Sequence, residues 1–234
     1  MEYEDLLELV KNRRSVRKFK PDPIPDGCVE KIIEVARWAP SGFNTQPWEF
    51  VVVKKKELKE KISEILQSNM PVPPSGQEDG GKADNSKNAK QGGIDPDIPV
   101  FIILCGDWRA RVGLPGDMPE NPERYRKVYL SGMASAFLYM HMAAVSMGLA
   151  SRWVSASSSP GPEKKIKELL GIPESLFIYD MMALGYGAST PPEKLLKPLE
   201  DMIHYDDCGE DDFKKDEEVI AFAEKTKAWC ISAH

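Results

Sequence analysis

Pro99–Cys105, PVFIILC, runs seven residues without a charge. A run this short, rich in branched apolar residues, reads as a strand buried on both faces. Glu49–Val53, EFVVV, and Phe177–Leu184, FIYDMMAL, have the same character, and the latter runs on into GYG. A fourth strand is expected at Pro198–Tyr205. Helical spacing fills the intervals. Leu6, Leu7 and Val10 mark a short helix over 4–11. Val29, Ile32, Ile33 and Ala36 mark one over 27–38, with Asp26 as its expected cap. Leu58, Ile62, Ile65 and Leu66 mark a helix over 56–66. Glu163–Leu170 ends at Gly171 with Pro173 beyond. Residues 206–234 begin acidic and end in a helix carrying Val219, Ile220, Phe222 and Ala223.

Val128–Ala150 holds no Asp, Glu, Lys or Arg. Such a run is long enough to cross a bilayer. Ser131, Gly132, Ser135, His141, Ser146 and Gly148 dilute it, so a helix buried on all sides is expected, completed by a second subunit. Gln67–Asp97 has no periodicity, and nine of its 31 residues are Gly or Pro. It reads as a mobile lid.

The 234 residues carry 31 Lys and Arg against 37 Asp and Glu, a net charge of -6. The acidic pI of about 5.3 speaks against a general affinity for nucleic acid. Histidine occurs only at 141, 204 and 234, and the four cysteines are scattered. No zinc spacing and no GxSxG is present. The N-terminus lacks a basic signal region, so a soluble chain in a reducing, cytoplasmic compartment is expected. With so few catalytic side chains, a borrowed cofactor is the leading idea.

Five short motifs carry polar chemistry. Arg13-Arg14-Ser15-Val16-Arg17 follows a helix. In an extended segment Arg13, Ser15 and Arg17 share a side and can clamp one phosphate, or form a solvated basic turn. Ala39–Trp48, APSGFNTQPW, presents Ser41, Asn44 and Gln46 on a framework of Pro40 and Gly42. It can bond the edge of a flat heteroaromatic ring or simply make a well-bonded turn. Ser157, Ser158 and Ser159 close a serine-rich loop that donates to a ligand or caps the next helix. Gly185 and Gly187 permit close approach or a turn. Lys197 either reaches a phosphate or is solvated. His141, inside the apolar run, reads as a core or interface histidine rather than a base.

In this order, RRSVRKF, APSGFNTQPWEFVVV, the Ala-rich helix with its serine loop, ALGYG and KPLEDMIHYD resemble the FMN-dependent nitroreductase family. They come closest to its branch of iodotyrosine deiodinases and related bacterial reductases. The resemblance covers most of 5–205. It implies an α+β fold, a central mixed sheet flanked by helices, in an intertwined homodimer with FMN at the interface. The domain would span 1–205, with an extension at 206–234 that wraps the partner. By family pattern, Arg13, Arg14, Ser15 and Arg17 hold the FMN phosphate and ribityl. Pro40, Ser41 and Gly42, with Asn44 and Gln46 nearby, serve the isoalloxazine, often from the partner subunit. Ser157–Ser159 face flavin N5, and Gly185 and Gly187 flank the cofactor. No side chain is catalytic and no metal is implied.

Relatives often place an Arg where this chain has Leu196, and Lys197 or Lys194 is the expected substitute. The deiodinase lid uses acidic, Tyr and Lys residues that the 67–97 stretch does not pattern, which argues against deiodination. The implied activity is ping-pong hydride transfer through flavin N5 from NADH or NADPH to a nitroaromatic or quinone. Trp108 and Tyr125 are aromatic candidates for shaping the acceptor site. Reductive dehalogenation, another flavin chemistry or non-catalytic flavin binding are the alternatives. No membrane or nucleic-acid partner is expected.

Overall fold

The computed structural model describes residues 2–69 and 94–232. Most of the expected lid at 67–97 lies outside them. The chain divides into two compact units, Met1–Ser189 and Thr190–His234, so the first unit closes before the boundary expected at 205.

The first unit runs α1 (Tyr3–Asn12), β1 (Phe19–Lys20), α2 (Cys28–Ala36), β2 (Trp48–Val53), α3 (Lys56–Ser68), β3 (Val100–Asp107), α4 (Pro122–Ser146), β4 (Ala150–Val154), α5 (Pro160–Leu170) and β5 (Leu176–Gly187). β5 is the hub of the sheet. It pairs antiparallel with β3, β4 and β1, and β3 pairs antiparallel with β2. A bridge between Ser15 and Ser151 is parallel, and it alone makes the described sheet mixed.

The unbroken apolar runs now have a cause. Successive side chains of a strand point to opposite faces, and both faces of this sheet are covered. Ile102, Leu104, Met182 and Leu184 pack with Ile32 of α2 and with Met133, Phe137 and Met140 of α4. Phe101, Ile103, Met181 and Ala183 pack with Ile62 and Leu66 of α3 and Ile166 of α5. β3 and β5 follow from this two-sided burial, whereas the expected buried strand at Glu49–Val53 is the edge strand β2, which keeps Glu49 and Val52 exposed because no further strand among the described residues covers that side.

Four expectations change. α2 is entered through Gly27 at φ 79°, with no side-chain cap, so Asp26 does not cap it. The left-handed turn that only glycine adopts easily moves the entry one residue on. β4 was hidden in the sequence, because Ala150–Val154, ASRWV, interposes Ser, Arg and Trp in a short run. Residues 198–205 form no strand. Asp201 and Met202 donate to the Pro198 and Leu199 carbonyls instead, closing a 3-10 turn at Glu200–Met202. Lastly, α4 begins at Pro122 and is buried on one side only, with Leu138 and Tyr139 exposed. Among the described residues it is the one helix long and apolar enough to cross a membrane, and half of its apolar window is buried against the fold.

The second unit carries α6 (Asp216–Ser232). Val219 and Ile220 on it are exposed, and Lys214 pairs with Asp201 at 3.1 Å.

Gly106 sets the exit of β3. A Cβ there would lie 2.3 Å from the Phe177 ring, which itself stacks on Trp108 at 4.2 Å between centroids. Gly106→Ala is expected to cost about 1–3 kcal/mol by overpacking, read as a lower urea midpoint at unchanged slope.

Candidate functional site

α1 ends where Arg13 turns extended, at φ -68° and ψ 116°. The Arg14 guanidinium donates back to the Arg13 carbonyl at 3.2 Å. Val16 is buried, and its N–H donates to the Ser151 carbonyl at 3.0 Å. That bond ties the segment to the start of β4. Ser15 and Arg17 are exposed on either side of Val16, as strand alternation requires. Arg13, the cap of the helix, is half-buried beside them.

The tie brings a fourth arginine into the group. Burial and the neighbouring Arg14 charge hold Arg13 below its ordinary pKa, and burial with the Arg17 charge does the same to Arg152 on β4. Among the described residues no carboxylate forms an ion pair with Arg13, Arg14 or Arg17. Like charges drawn together in partial burial favour a bound anion, and guanidiniums bond phosphate in bidentate fashion. The structure thus draws Arg13, Arg14 and Arg17 toward Arg152 at the start of β4. Arg152 was not foreseen because β4 was not recognised.

The second motif forms a tight turn against α4. Phe43 and Asn44 have φ 53° and Gln46 has φ 44°. Three non-glycine residues in the left-handed region within four positions store strain of the kind found at functional sites. The Gln46 N–H donates to Ser41 Oγ at 3.1 Å, and Thr45 Oγ1 donates to the Gly42 carbonyl at 3.0 Å. A Cβ on Gly42 would sit 2.0 Å from Val128 Cγ1, and one on Gly132 would sit 3.2 Å from Ser41 Cβ. The turn backbone therefore meets the Val128 side chain at Gly42, and the helix backbone meets Ser41 and the Pro40 carbonyl at Gly132. Phe43 is 60% exposed.

α4 separates the two motifs. The turn packs at Gly132, whereas the arginine segment reaches His141, whose protonation Arg13 disfavours. Nine residues along a helix are about 13 Å of rise and half a turn of phase. Within one chain the clamp and the strained turn thus lie toward opposite sides of α4.

The serine-rich motif is largely satisfied internally. Ser157 is buried and donates to the Val154 carbonyl at 2.8 Å. Ser158 contacts the Ser155 carbonyl at 2.8 Å and Asp180 at 2.9 Å. Ser159 precedes α5 without capping it through its side chain. Gly185 serves packing, since a Cβ there would meet Pro99 at 2.8 Å and Phe19 at 3.3 Å. Around Gly187 the nearest atoms belong to Ala150, Ser189 and Val16. Lys197 lies in the second unit with its ammonium 5.4 Å from the Phe222 ring centre, and Leu196 beside it is exposed. Trp108 and Tyr125 join Tyr129 and Phe177 in one aromatic cluster. Asp180 is the one carboxylate inside the buried run of β5.

A family profile, described as the nitroreductase family, matches residues 10–186. The chain belongs to the nitroreductase family. The match runs from the last turn of α1 to Tyr186 in β5, and so contains both the arginine segment and the strained turn. Among its relatives is a protein of Methanothermobacter thermautotrophicus that carries the provisional name NADH dehydrogenase/NAD(P)H nitroreductase. The two are 28% identical over 201 residues, covering 86% of each chain. The iodotyrosine deiodinase of Hydra vulgaris is 28% identical over 197 residues, covering 83% of this chain and 70% of its own. In structure, the chain resembles a nitroreductase with bound FMN from Bacteroides fragilis. The TM-score is 0.64 at 23% identity, covering 87% of this chain and 99% of that one. That likeness establishes the nitroreductase fold.

His141 offers a test of the buried arrangement around β4. It is 1% exposed, with Nδ1 2.7 Å from Ser151 Oγ, and its Nε2 has no partner among the described residues. Burial, then the Arg13 charge, lower its pKa from 6.5 to about 3. The unfolded chain takes up a proton near pH 6.5 that the native state refuses. The stability this residue confers is therefore complete above that pH and is lost as pH falls. Between pH 6.5 and 5.0 the loss amounts to about 1.5 kcal/mol. Denaturant unfolding of wild type should show that slope, and His141→Gln should flatten it.

Proposed function

We propose that the protein is an FMN-dependent oxidoreductase that takes electrons from NADH or NADPH and passes them to a nitroaromatic or quinone acceptor. One observation carries this assignment: Arg13, Arg14, Arg17 and Arg152 gather at the start of β4, and the first three have no carboxylate ion pair among the described residues. In a nitroreductase-family chain that cluster suits the phosphate of FMN. Bound FMN supplies the hydride chemistry that the three histidines and four free thiols do not. The chain's own residues bind and orient. The arginines and Ser15 hold the phosphate end. Pro40, Ser41, Gly42, Asn44 and Gln46 offer polar groups to the ring edge, and Ser157–Ser159 lie on the turn assigned to the N5 side. Gly185 and Gly187 shape the sheet end beside it.

The opposite placement of clamp and turn about α4 supports a site built from two protomers, each giving one half. Trp38 and Phe43 are 75% and 60% exposed, and Leu138 and Tyr139 add to the uncovered apolar surface. A homodimer covers such surface. A compartment that keeps thiols reduced, the cytoplasm, suits the four free cysteines.

Purified protein is expected to bind FMN and to show a visible flavin absorption band that NADH or NADPH bleaches without oxygen. Protein that stays colourless with added FMN overturns the assignment, and bound FMN that neither nucleotide bleaches reduces it to flavin binding without turnover. Nitro, quinone and halo-aromatic acceptors tested in parallel then separate the chemistries. Arg13→Ala should raise the FMN dissociation constant more than about tenfold through loss of a charge-assisted phosphate contact. Mixing Arg13→Ala with Gly42→Val dimers under exchanging conditions should restore FMN binding in the heterodimer, as a site shared between protomers requires.

A further inference from the structure

β5 carries one carboxylate in its buried run, Asp180, which is 7% exposed. It sits at an irregularity. Leu104 pairs with Asp180 and Cys105 with Ile178, which leaves Tyr179 as an extra residue. A bulge of this kind re-aims a side chain. Here it turns the carboxyl toward the end of β4 and the serine turn. One oxygen, Oδ2, accepts from the Trp153 indole N–H, and the other, Oδ1, lies 2.9 Å from Ser158 Oγ.

The protons available do not satisfy these contacts if Asp180 is ionised. Ser158 Oγ lies 2.8 Å from the Ser155 carbonyl as well, and a hydroxyl has a single hydrogen. If Ser158 donates to Ser155, an ionised Asp180 faces Ser158 as acceptor against acceptor. If Ser158 donates to Asp180, the bond to Ser155 is given up. A proton on Asp180 Oδ1 completes both bonds. Burial pushes the Asp180 carboxyl above its ordinary range, while the contacts from Trp153 and Ser158 act the other way. The neighbouring elements carry the titratable and charged groups Tyr179 on β5, Cys105 and Asp107 on β3, Arg152 on β4 and Glu163, Lys164, Lys165, Lys167 and Glu168 on α5. His141 on α4 stands behind the stacked Trp153 ring. Tyr179 is raised by burial and then by the Asp180 charge.

We propose that Asp180 is the positioning residue of the serine turn, and that it holds the turn as the neutral acid, donating from Oδ1 to Ser158 while Ser158 donates to Ser155. The inference rests on the flavin assignment above, under which this turn faces the cofactor. Asp180 acts on the site through Ser158 and Trp153.

Asp180→Asn and Asp180→Ala separate the possibilities. Asparagine reproduces the neutral acid, since its amide N–H can donate to Ser158 and its carbonyl can accept from Trp153. FMN titration at the lowest pH at which all three proteins stay folded should give Asp180→Asn a dissociation constant within about twofold of wild type, and Asp180→Ala one at least about tenfold weaker. With rising pH, wild type should weaken relative to Asp180→Asn as the carboxyl ionises. Thermal unfolding of the flavin-free proteins gives an independent reading. A carboxyl raised in the native state adds stability at low pH, and this is lost as pH rises through its native value. The wild-type midpoint should therefore drop relative to Asp180→Asn with rising pH. Asparagine behaving like alanine, or a difference from wild type that is constant between pH 4 and 8, overturns the proposal. Wild type that takes up no FMN overturns the flavin assignment, and the unfolding comparison then decides the Asp180 network alone.

Discussion

β5 is the strand on which the rest of the first unit depends. It hydrogen-bonds β3 along one edge and β4, then β1, along the other. Its faces feed two separate cores, with Met182 and Leu184 in one and Met181 and Ala183 in the other. A strand buried on all four sides must be almost wholly apolar, because each unpaired polar group would cost free energy. The exceptions are therefore informative. Gly185 makes room for Pro99, and Asp180 uses a bulge to reach its two partners at the β4 end.

From that hub the charge arrangement follows. β4 is placed by β5, and the Val16 N–H bonded to the Ser151 carbonyl places the arginine segment on β4. The chain thereby concentrates positive charge at one spot while its net charge is -6. Such a cluster is unfavourable alone and becomes favourable with an anion, which is the physical ground for the phosphate site proposed above. His141 lies beside it and is held neutral by burial first and by Arg13 second. A neutral imidazole there adds no further repulsion to the guanidiniums.

The strained turn after α2 answers a different constraint. It packs closely on α4, with the Val128 side chain filling the space a Cβ on Gly42 would need and Ser41 lying against Gly132. The chain accommodates this by left-handed backbone at Phe43, Asn44 and Gln46, with Phe43 directed outward. α4 keeps an uncovered side bearing Leu138 and Tyr139. Its absence of charge over 128–150 therefore reflects two kinds of burial, one against its own sheet and one proposed against a second protomer.

Local patterning settled much of this protein in advance. The apolar runs PVFIILC and FIYDMMAL became β3 and β5 because two-sided burial demands an apolar run, and EFVVV became β2, an edge strand that keeps Glu49 and Val52 exposed. RRSVR and APSGFNTQPW marked the family and the two motifs of the candidate site, because clustered guanidiniums and a turn rich in Gly, Pro and short polar residues are themselves local features. Contacts distant in sequence were not legible. ASRWV looks unlike a strand until β5 offers its edge, so Arg152 remained hidden. Gly27 displaced Asp26 at the start of α2 through a backbone angle that composition does not encode. The serine hydroxyls turned inward toward Val154, Ser155 and Asp180 rather than toward a ligand. The sequence by itself determined which segments are buried and which carry charge, since solvation free energy is a property of each side chain. Only the tertiary structure decided which charges meet, since that depends on strands paired across more than a hundred residues.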